Sequence, residues 1–459
     1  MLVALSVKNF KSIREARIRF GALTCLIGHN GVGKSNLFDA IHFLGLLAER
    51  DISEAATEVK STSDGAYSPL DLVFGRDPDR RIEFSADMVV SQMVTDDFGQ
   101  AAEASTTLLN YALTLRYIPE SDRLVVECES LTHAKKGDYR KFTGFASSRG
   151  FMDSVAFGAR RGAAFISTSV DEERTLLHGD GGSRGRPRPV GRSPLTVVGG
   201  TNTSDYPTVL AAKREMSSWR VLHLEPSAMR TPDTRRAIPH VSASGGHIPA
   251  TLHALTARNS DMRVEVVNRL RRLNSDVEDL DVDVDDSRDQ LALRARIPGV
   301  ANWLYGRSLS DGTLRYIALV LMLMDVRDRA VLCIEEPENG IHPSRISDLV
   351  ELLREYAVDC DEAVAADNPL RQVILNTHSP EVARQLNVSD MVFVERARTS
   401  KSGPVSVFRP VAGTWRTHLA NDKGSSALPI DRQAVTDFIG GSTVNPEYQL
   451  QELVFGSAQ

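Results

Sequence analysis

A predicted strand, a glycine-rich loop and a predicted helix follow one another near the N-terminus, and this order constrains the fold more than any other feature. Residues 22–27 (ALTCLI) form an apolar run, and residues 36–48 (NLFDAIHFLGLLA) carry apolar side chains at helical spacing. The sequence between them matches the phosphate-loop pattern G-x4-G-K-S and comprises Gly28, His29, Asn30, Gly31, Val32, Gly33, Lys34 and Ser35. Glycines let backbone N–H groups turn inward around phosphates, and the N-terminus of a helix favours anions. The pattern predicts an α/β core that binds a nucleoside triphosphate through residues 28–35 and Asn36, which opens the helix.

Two residues of this loop suit the chemistry of a metal-bound triphosphate. We expect the Lys34 ammonium to bridge the terminal phosphates and the Ser35 hydroxyl to hold Mg²⁺. Such a site also needs a carboxylate at the end of a buried strand, which residues 331–334 (VLCI) predict. Glu335 would reach Mg²⁺ through water, and Glu336 would orient and polarise the attacking water. Because successive side chains on a strand point to opposite faces, Glu336 should lie beyond the strand end.

A third apolar run, residues 371–376, predicts another buried strand and leads into His378. Ligands of parallel α/β sheets bind at the carboxyl ends of the strands. We therefore expect His378 to act as a hydrogen-bond partner of the terminal phosphate.

The remaining patterns predict further strands and helices. Alternating apolar and polar residues predict an antiparallel meander over residues 81–90, 110–118 and 123–130. A strand, a turn and a second strand are expected over residues 279–297. Helix-like spacing covers residues 206–222 and 247–273.

Residues 178–202 are rich in Gly, Arg, Ser and Pro, which predicts a mobile loop that cannot build a core. The arginines around this loop are Arg160, Arg161, Arg174, Arg184, Arg186, Arg188 and Arg192. A mobile basic loop could follow the phosphates of DNA or RNA, whereas the absence of aromatic residues from the stretch favours a solvated linker. A second candidate basic group on a predicted helix consists of Arg263, Arg269, Arg271 and Arg272.

Composition bounds the class of protein. The formal net charge of −6 gives no overall basic surface, so any contact with nucleic acid must be local. The four cysteines are scattered without paired ligand spacing and favour free thiols in a reducing cytoplasm. The longest apolar run, residues 317–324, is far short of the ~20 residues that span a bilayer, and the N-terminus lacks the pattern of a secretion signal. We therefore expect a soluble cytoplasmic protein that does not act at a membrane.

Several motifs occur in a fixed order along the chain. They are VKNFKSI (7–13), GHNGVGKSNLFDAI (28–41), LEPSAMR (224–230), LSDGTLR (309–315), IEEPENGIHP (334–343) and LNTHSPEV (375–382). In this order they resemble the ABC-type ATPases of the SMC/RecF class, and most closely the stand-alone AAA ATPases related to the OLD family. The resemblance implies ATP and Mg²⁺ as cofactors. It also implies an α/β fold with an ABC-type P-loop NTPase core, in which a mixed sheet carries helices on both faces, beside an antiparallel β-meander and with an inserted helical lobe.

The resemblance further implies a site shared by two protomers. Ser310, Asp311 and Gly312 would form a signature that faces the nucleotide of the opposite protomer, with Ser310 and Gly312 contacting its γ-phosphate. Residues 340–342 would form a crossing loop at the dimer interface. A homodimer or higher oligomer through the ATP sites is therefore expected.

Some features depart from the wider superfamily. Glu335 stands where many of its members have Asp, and Gln92 is the nearest candidate for a glutamine loop. The stretch between the phosphate loop and the signature is far too long for a transporter cassette. After His378 no acidic triad resembles the nuclease domain of full OLD proteins, so we expect a separate effector protein, a nuclease or a toxin.

These patterns predict four regions. Residues 1–150 would be the N-terminal half of the ATPase domain, and residues 151–300 an inserted helical and loop region that contains the flexible segment 178–202. Residues 301–400 would be the C-terminal half with signature, acidic strand end and His378, followed by an extension over residues 401–459. Two functions remain open. One is a nucleotide-gated dimeric ATPase of an anti-phage defence or DNA-maintenance system, and the other is a RecF-like clamp or loader whose direct ligand is DNA.

Overall fold

A computed structural model describes most of the chain. The described residues are 1–59, 68–158, 164–169, 174–181, 187–189, 191, 193–259, 261–273, 277–325, 331–399, 403–417 and 428–440. They form twenty β-strands and twelve α-helices.

The strands are numbered in chain order. They are β1 (Leu2–Phe10), β2 (Ile13–Arg19), β3 (Leu23–Ile27), β4 (Arg81–Val89), β5 (Met93–Thr95), β6 (Ala101–Glu103), β7 (Leu108–Ile118), β8 (Arg123–His133), β9 (Ile166–Ser169), β10 (Arg174–Leu177), β11 (Pro187–Pro189), β12 (Trp219–Leu222), β13 (Asp233–Thr234), β14 (Asp279–Asp285), β15 (Gln290–Arg296), β16 (Leu304–Tyr305), β17 (Val331–Glu335), β18 (Gln372–Thr377), β19 (Met391–Thr399) and β20 (Gly403–Pro410).

The α-helices are numbered in the same way. They are α1 (Lys34–Leu47), α2 (Ile52–Val59), α3 (Tyr139–Thr143), α4 (Arg149–Val155), α5 (Pro207–Ser217), α6 (Pro226–Arg230), α7 (Ile248–Arg258), α8 (Asp261–Leu273), α9 (Asp311–Met324), α10 (Ile346–Tyr356), α11 (Pro380–Arg384) and α12 (Arg432–Ile439). Among the described residues, none of these helices is both long enough and apolar enough to cross a membrane.

The central sheet has six strands in the order β12-β17-β18-β3-β19-β20. The first five are parallel, and β20 runs antiparallel to β19. Both faces are buried, because Leu26 of β3 belongs to one apolar core while Cys25 and Ile27 belong to the other. The three buried strands predicted ahead of the phosphate loop, the acidic pair and His378 are confirmed. Since parallel strands end at the same edge, the segments that follow β3, β17 and β18 meet there.

A second sheet has eight strands, all antiparallel, in the order β11-β10-β9-β8-β7-β4-β1-β2. The predicted meander corresponds to its strands β4, β7 and β8 and is confirmed. Helix α1 lies between this sheet and the central one. Its Phe43 stacks on Phe10 of β1 with ring centroids 6.0 Å apart, and Phe10 meets Phe84 of β4 edge-on at 5.5 Å. The helix that carries the end of the phosphate loop is thus packed on both sides.

The other face of the central sheet is covered by helices α7 to α10 and by a small sheet. Strands β14 and β15 pair as an antiparallel hairpin, as predicted for residues 279–297, and β13 and β16 pair with β15. The helical pattern over residues 247–273 is confirmed as two helices, α7 and α8. The same core contains the buried face of α9, the helix that begins at the signature.

The helical interpretation of residues 206–222 was wrong for the last five residues. Helix α5 ends at Ser217, and Trp219–Leu222 is strand β12, which pairs in parallel with β17. Trp219 and Leu222 are buried, so tertiary pairing at the sheet edge decides the conformation of a segment too short to show strand periodicity. Besides its helices and loops, the region 151–300 therefore supplies strands to the sheets, including β9 to β11 of the antiparallel sheet.

The prediction of a mobile loop over residues 178–202 was wrong for its last part. Val197 and Val198 are buried, and their backbone N–H groups donate to the Glu129 carboxylate at 2.6 and 3.0 Å. Glu129 is itself 1% exposed and accepts a hydrogen bond from Tyr111, so a buried carboxylate holds this segment to the antiparallel sheet. Arg160, Arg161, Arg184, Arg186 and Arg192 lie outside the described residues.

Candidate nucleotide site

Two glycines give the phosphate loop its path between β3 and α1. Gly28 follows directly after β3, and a β-carbon there would overlap the carbonyl oxygen of Val394 on the neighbouring strand β19. Gly33 has a φ of 99° and would bring a β-carbon onto the Ser406 hydroxyl of β20. Both positions therefore require glycine, because the loop packs against β19 and β20.

Lys34 is the first residue of α1 and its side chain is 6% exposed. The ammonium Nζ donates to the carbonyl oxygens of Gly28 and His29 at 2.7 and 2.8 Å. Burial lowers the pKa of Lys34, while the nearby carboxylates of Glu336 and Glu338 act to raise it. The loop thus carries a buried cation at its centre.

The first acidic residue, Glu335, lies at the end of β17 and faces the loop. Its carboxylate accepts a hydrogen bond from Asn376 Nδ2 at 3.3 Å and lies 3.4 Å from His223 Nδ1, and the Ser35 hydroxyl adjoins it. Burial would raise the pKa of Glu335, but these polar contacts outweigh burial and lower the pKa. The site therefore holds an ionised carboxylate beside the Ser35 hydroxyl.

This pair fits a magnesium ion bound together with phosphates. Mg²⁺ prefers oxygen ligands and usually takes one or two carboxylates besides phosphate oxygens and water. Ser35 and Glu335 supply two adjoining oxygen donors. Within the described residues there is no cluster of three or more His, Cys, Asp or Glu side chains suited to a metal, so the site does not resemble an all-protein metal cage. The ligand set suits a cation shared with a triphosphate.

The second acidic residue, Glu336, lies beyond the strand end, as the spacing predicts. Its φ is 42°, a left-handed conformation that is uncommon for a residue with a side chain. The backbone N–H of Glu336 donates to the Asn376 carbonyl at 3.1 Å, which ties this turn to β18. The turn aims a carboxylate away from the strand and towards the segment after β18.

Glu336 and His378 form a pair. The distance between Glu336 Oε1 and His378 Nδ1 is 2.8 Å, and Asn339 Nδ2 donates to Glu336 Oε2 at 2.8 Å. The Nδ1 of His378 is the ring nitrogen that faces the carboxylate, and it donates to Oε1. The imidazole and the amide together orient the carboxylate, which is what a general base needs.

The signature residues begin helix α9. Ser310 caps the helix, and its hydroxyl accepts from the Thr313 backbone N–H at 3.2 Å. A β-carbon on Gly312 would come within 2.5 Å of the Gly340 carbonyl oxygen, so glycine lets the helix approach the turn after the acidic pair. Ser310 and Asp311 are exposed, whereas Gly312 is buried against that turn.

The structure brings two groups of predicted residues together. The first comprises the loop residues 28–36, Glu335, Glu336 and His378, which gather at the carboxyl edge of the central sheet. The second comprises Ser310, Asp311 and Gly312 with Gly340. Gln92, the candidate for a glutamine loop, follows β4 in the antiparallel sheet and bonds Glu103 of β6, so its contacts are outside the site.

Several residues of the site were missed from the sequence. Asn376 contacts both acids, His223 contacts Glu335, and Ser12 lies between Asn36 Nδ2 at 2.5 Å and Ser406 Oγ at 2.6 Å. Asn376 could have been found, because it is the penultimate residue of β18, which ends at the same edge of the central sheet as β3 and β17. His223 could not, since strand β12 ahead of it had been interpreted as helix.

The contact between His223 and Glu335 predicts a pH-dependent stability. The Nδ1 to Oε2 distance is 3.4 Å, and the hydrogen bond to Glu335 raises the pKa of His223 above its ordinary value of 6.5. Because the pKa of His223 is higher in the folded state than in the unfolded state, the contact with Glu335 stabilises the fold fully below about pH 6.5. This stabilisation is lost as the pH rises through the pKa of His223 in the folded protein. More than half of the His223 side chain is exposed, so solvent reduces the effect.

We expect His223→Gln to lower the free energy of unfolding more at pH 6 than at pH 9, as measured by urea denaturation. His253→Gln on helix α7 is the control and should cost the same at both pH values. An equal cost of His223→Gln at both pH values would contradict the prediction.

Comparisons with known proteins agree with this arrangement. The family model described as "AAA ATPase domain" matches residues 1–142, and the model described as "AAA domain, putative AbiEii toxin, Type IV TA system" matches residues 253–384. The chain is 30% identical over 169 residues to the DNA replication and repair protein RecF of Magnetococcus marinus, covering 36% of this chain and 39% of that protein. It is 56% identical over 41 residues to RecF of Porphyromonas gingivalis, covering 9% of this chain and 11% of that protein. The chain thus spans well under half the length of the curated relatives that it matches.

The similarity to solved structures is weaker. An SMC head bound to the C-terminal winged-helix domain of ScpA aligns with a TM-score of 0.47 and 13% identity, over 90% of this chain and 98% of that one. The SMC head domain from Thermotoga maritima aligns with a TM-score of 0.37 and 14% identity, over 89% of this chain and 98% of that one. These values are too low to transfer any property of those heads to this chain. The phosphate loop and signature, the two AAA-domain matches and the RecF relatives together support an ABC-type, SMC/RecF-like P-loop ATPase.

Proposed function

We propose that this protein binds and hydrolyses ATP with Mg²⁺ and acts as a nucleotide-gated dimeric switch. The observation that carries the proposal is the Ser35–Glu335 contact next to the Glu336–His378 pair at one edge of the central sheet. The first contact offers oxygen donors for Mg²⁺, and the second offers an oriented general base. The carboxylates of Glu335 and Glu336 both act electrostatically on the Lys34 ammonium.

The proposed roles follow from these positions. Lys34 and the N–H groups of residues 28–36 would hold the phosphates, while Ser35 and Glu335 would hold the metal, which neutralises phosphate charge when bound. Glu336 would accept a proton from the attacking water. His378 would keep the Glu336 carboxylate in place by donating to it through Nδ1, and with its second ring nitrogen also protonated it would donate to the terminal phosphate through Nε2.

Two copies would complete each site. Ser310 and Asp311 are exposed, and their neighbours within the chain are Thr313, Arg230 and the Gly340 turn rather than the phosphate loop. His29, Asn30 and Gly31 at the tip of that loop are also exposed. Both surfaces would therefore be free to meet in a dimer in which each signature faces the loop of the partner.

We further propose that the switch is the cytoplasmic ATPase subunit of an anti-phage defence or DNA-maintenance system, of the OLD-related kind, with a separate effector. The description of the model that matches residues 253–384 names a toxin of a toxin–antitoxin system, which supports a defence role. The four cysteines are free thiols, in keeping with a reducing compartment. The effector would be a nuclease or a toxin.

A RecF-like function, with DNA as the direct ligand, is the second candidate. The RecF relatives favour it. The basic helix α8 does not, because Arg263 pairs with Asp279 and Arg269 pairs with Glu265 and Glu355. Those charges are neutralised within the chain and are less available to phosphates.

The test measures molar mass by light scattering and phosphate release for the purified chain. With ATP and Mg²⁺ we expect the mass to double and phosphate to be released, whereas ADP should leave a monomer and EDTA should stop turnover. ATP binding without a change in mass and without phosphate release would refute the switch. Salt-sensitive binding of duplex DNA that ATP strengthens would favour the RecF-like alternative, and the absence of binding at low salt would exclude it.

A further inference from the structure

Arg230 makes a two-point contact with the signature. Its Nη2 donates to the Leu309 carbonyl at 3.0 Å and to Asp311 Oδ1 at 2.5 Å. Arg230 is the last residue of the short helix α6, which packs on α9. The guanidinium therefore contacts the residues on both sides of Ser310.

Helix α6 is held firmly. The residue before Arg230, Met229, is 1% exposed and belongs to the core that also contains Leu314 of α9. Gly245, with a φ of 84°, allows this fit, since a β-carbon there would lie 2.6 Å from Met229 Cγ. Because Met229 is anchored in the core, the start of the Arg230 side chain has a defined position beside the signature.

The charge of Asp311 explains why such a partner is needed. An aspartate in the first turn of a helix is favourable for the helix dipole. In the proposed dimer, however, the same carboxylate would face the triphosphate of the partner protomer, where like charges repel. Arg315, one turn further along α9, also feels the charge of Asp311, but its pKa is lowered by burial and it does not form the direct contact. Arg230 is the cation that contacts the carboxylate.

We propose that Arg230 is a positioning residue of the signature, which compensates the charge of Asp311 and holds Ser310 and Gly312 in the orientation that binds the γ-phosphate of the opposite protomer. This inference rests on the proposed dimeric function and adds a residue to its site. Without Arg230, the exposed carboxylate would remain unpaired and the turn before α9 would lose its bond at Leu309.

A double-mutant cycle over Arg230→Ala and Asp311→Asn tests the proposal. The readout is the ATP-dependent dimerisation constant, with ATP binding to the monomer measured in parallel. Arg230→Ala should weaken dimerisation by roughly 10-fold without changing ATP binding to the monomer. Adding Asp311→Asn should restore most of the loss, because the repelling carboxylate is gone. Arg230→Lys, which keeps the charge but carries its donor nitrogen on a shorter and more flexible side chain, should be intermediate.

Two controls separate positioning from a general loss of structure. Arg235→Ala removes a nearby exposed arginine that pairs with Asp286 and should leave dimerisation unchanged. Raising the salt concentration should narrow the gap between Arg230→Ala and the wild type, since screening reduces the repulsion by Asp311. Suppose that the wild type dimerises with ATP, but the fold-loss of dimerisation in the double variant equals the product of the fold-losses in the two single variants. Arg230 and Asp311 then act independently, so the role of Arg230 is refuted while the switch stands. If the wild type stays monomeric with ATP, both proposals fall.

Discussion

Replacing Lys34 by alanine is expected to reduce ATP turnover on the order of 100-fold or more, because a preorganised charged donor to the phosphates is lost. The ammonium lies at the centre of the loop, within hydrogen-bond distance of the Gly28 and His29 carbonyls, and it is almost fully buried. The variant should also bind ATP more weakly, because Lys34 is the lysine of the phosphate-loop pattern and its charge is not replaced by another lysine of the loop. Phosphate release and titration with a fluorescent ATP analogue measure the two effects.

Lys213→Ala is the matched control for this prediction. Lys213 is also a buried lysine whose ammonium donates to a backbone carbonyl, that of Gly199, and to Asn202. It lies on α5 rather than in the phosphate loop. The control should lower the midpoint of thermal unfolding but leave turnover per folded molecule unchanged. Turnover that survives in Lys34→Ala, or falls equally in both variants, would contradict the role given to Lys34.

Replacing Glu336 by glutamine is expected to lower the turnover number by about 10²–10⁴-fold, which is the usual contribution of a general base. The amide keeps the size of the side chain and retains an oxygen that can accept from Asn339 or His378. ATP binding should persist because the loop and Glu335 are untouched. The ATP-bound dimer should therefore accumulate, which light scattering would detect as a doubled mass that persists, whereas the mass of the wild type falls again as it consumes its ATP.

Glu395→Gln provides the control for the loss of a half-buried carboxylate. Glu395 on β19 pairs with Arg409 at 3.0 Å, much as Glu336 pairs with His378. We expect this variant to retain turnover. If Glu336→Gln also retains turnover, Glu336 is not the general base and the proposed hydrolysis mechanism is wrong.

Much of the fold could be predicted from local patterns. The phosphate loop follows a buried strand and precedes a helix, and each of these three parts is recognisable over fewer than fifteen residues of continuous sequence. Strands β4 and β7 of the meander alternate clearly, because one face of each lies in the apolar core that also contains α1 while the other face is more exposed. Interactions between neighbours along the chain determine these features, so they appear in the sequence itself.

Other features depended on residues that are distant in sequence. Strand β12 is a strand because it pairs with β17, and Val197 and Val198 are held in place because Glu129 accepts their N–H groups. Neither partner can be recognised from the segment alone. Burial and pairing override the weak local preferences of short segments.

The sequence by itself determined the chemistry of the site: a phosphate loop with Lys34 and Ser35, two consecutive acids, and a histidine after a buried strand. Only the tertiary structure decided which of these side chains meet and what supports them. The parallel order of β17, β18 and β3 brings Glu335 to Ser35 and Glu336 to His378. The packing of α6 on α9 brings Arg230 to Asp311. The reason is physical, because the type of a side chain sets its chemistry, whereas its partners depend on strand order and helix packing across the whole chain.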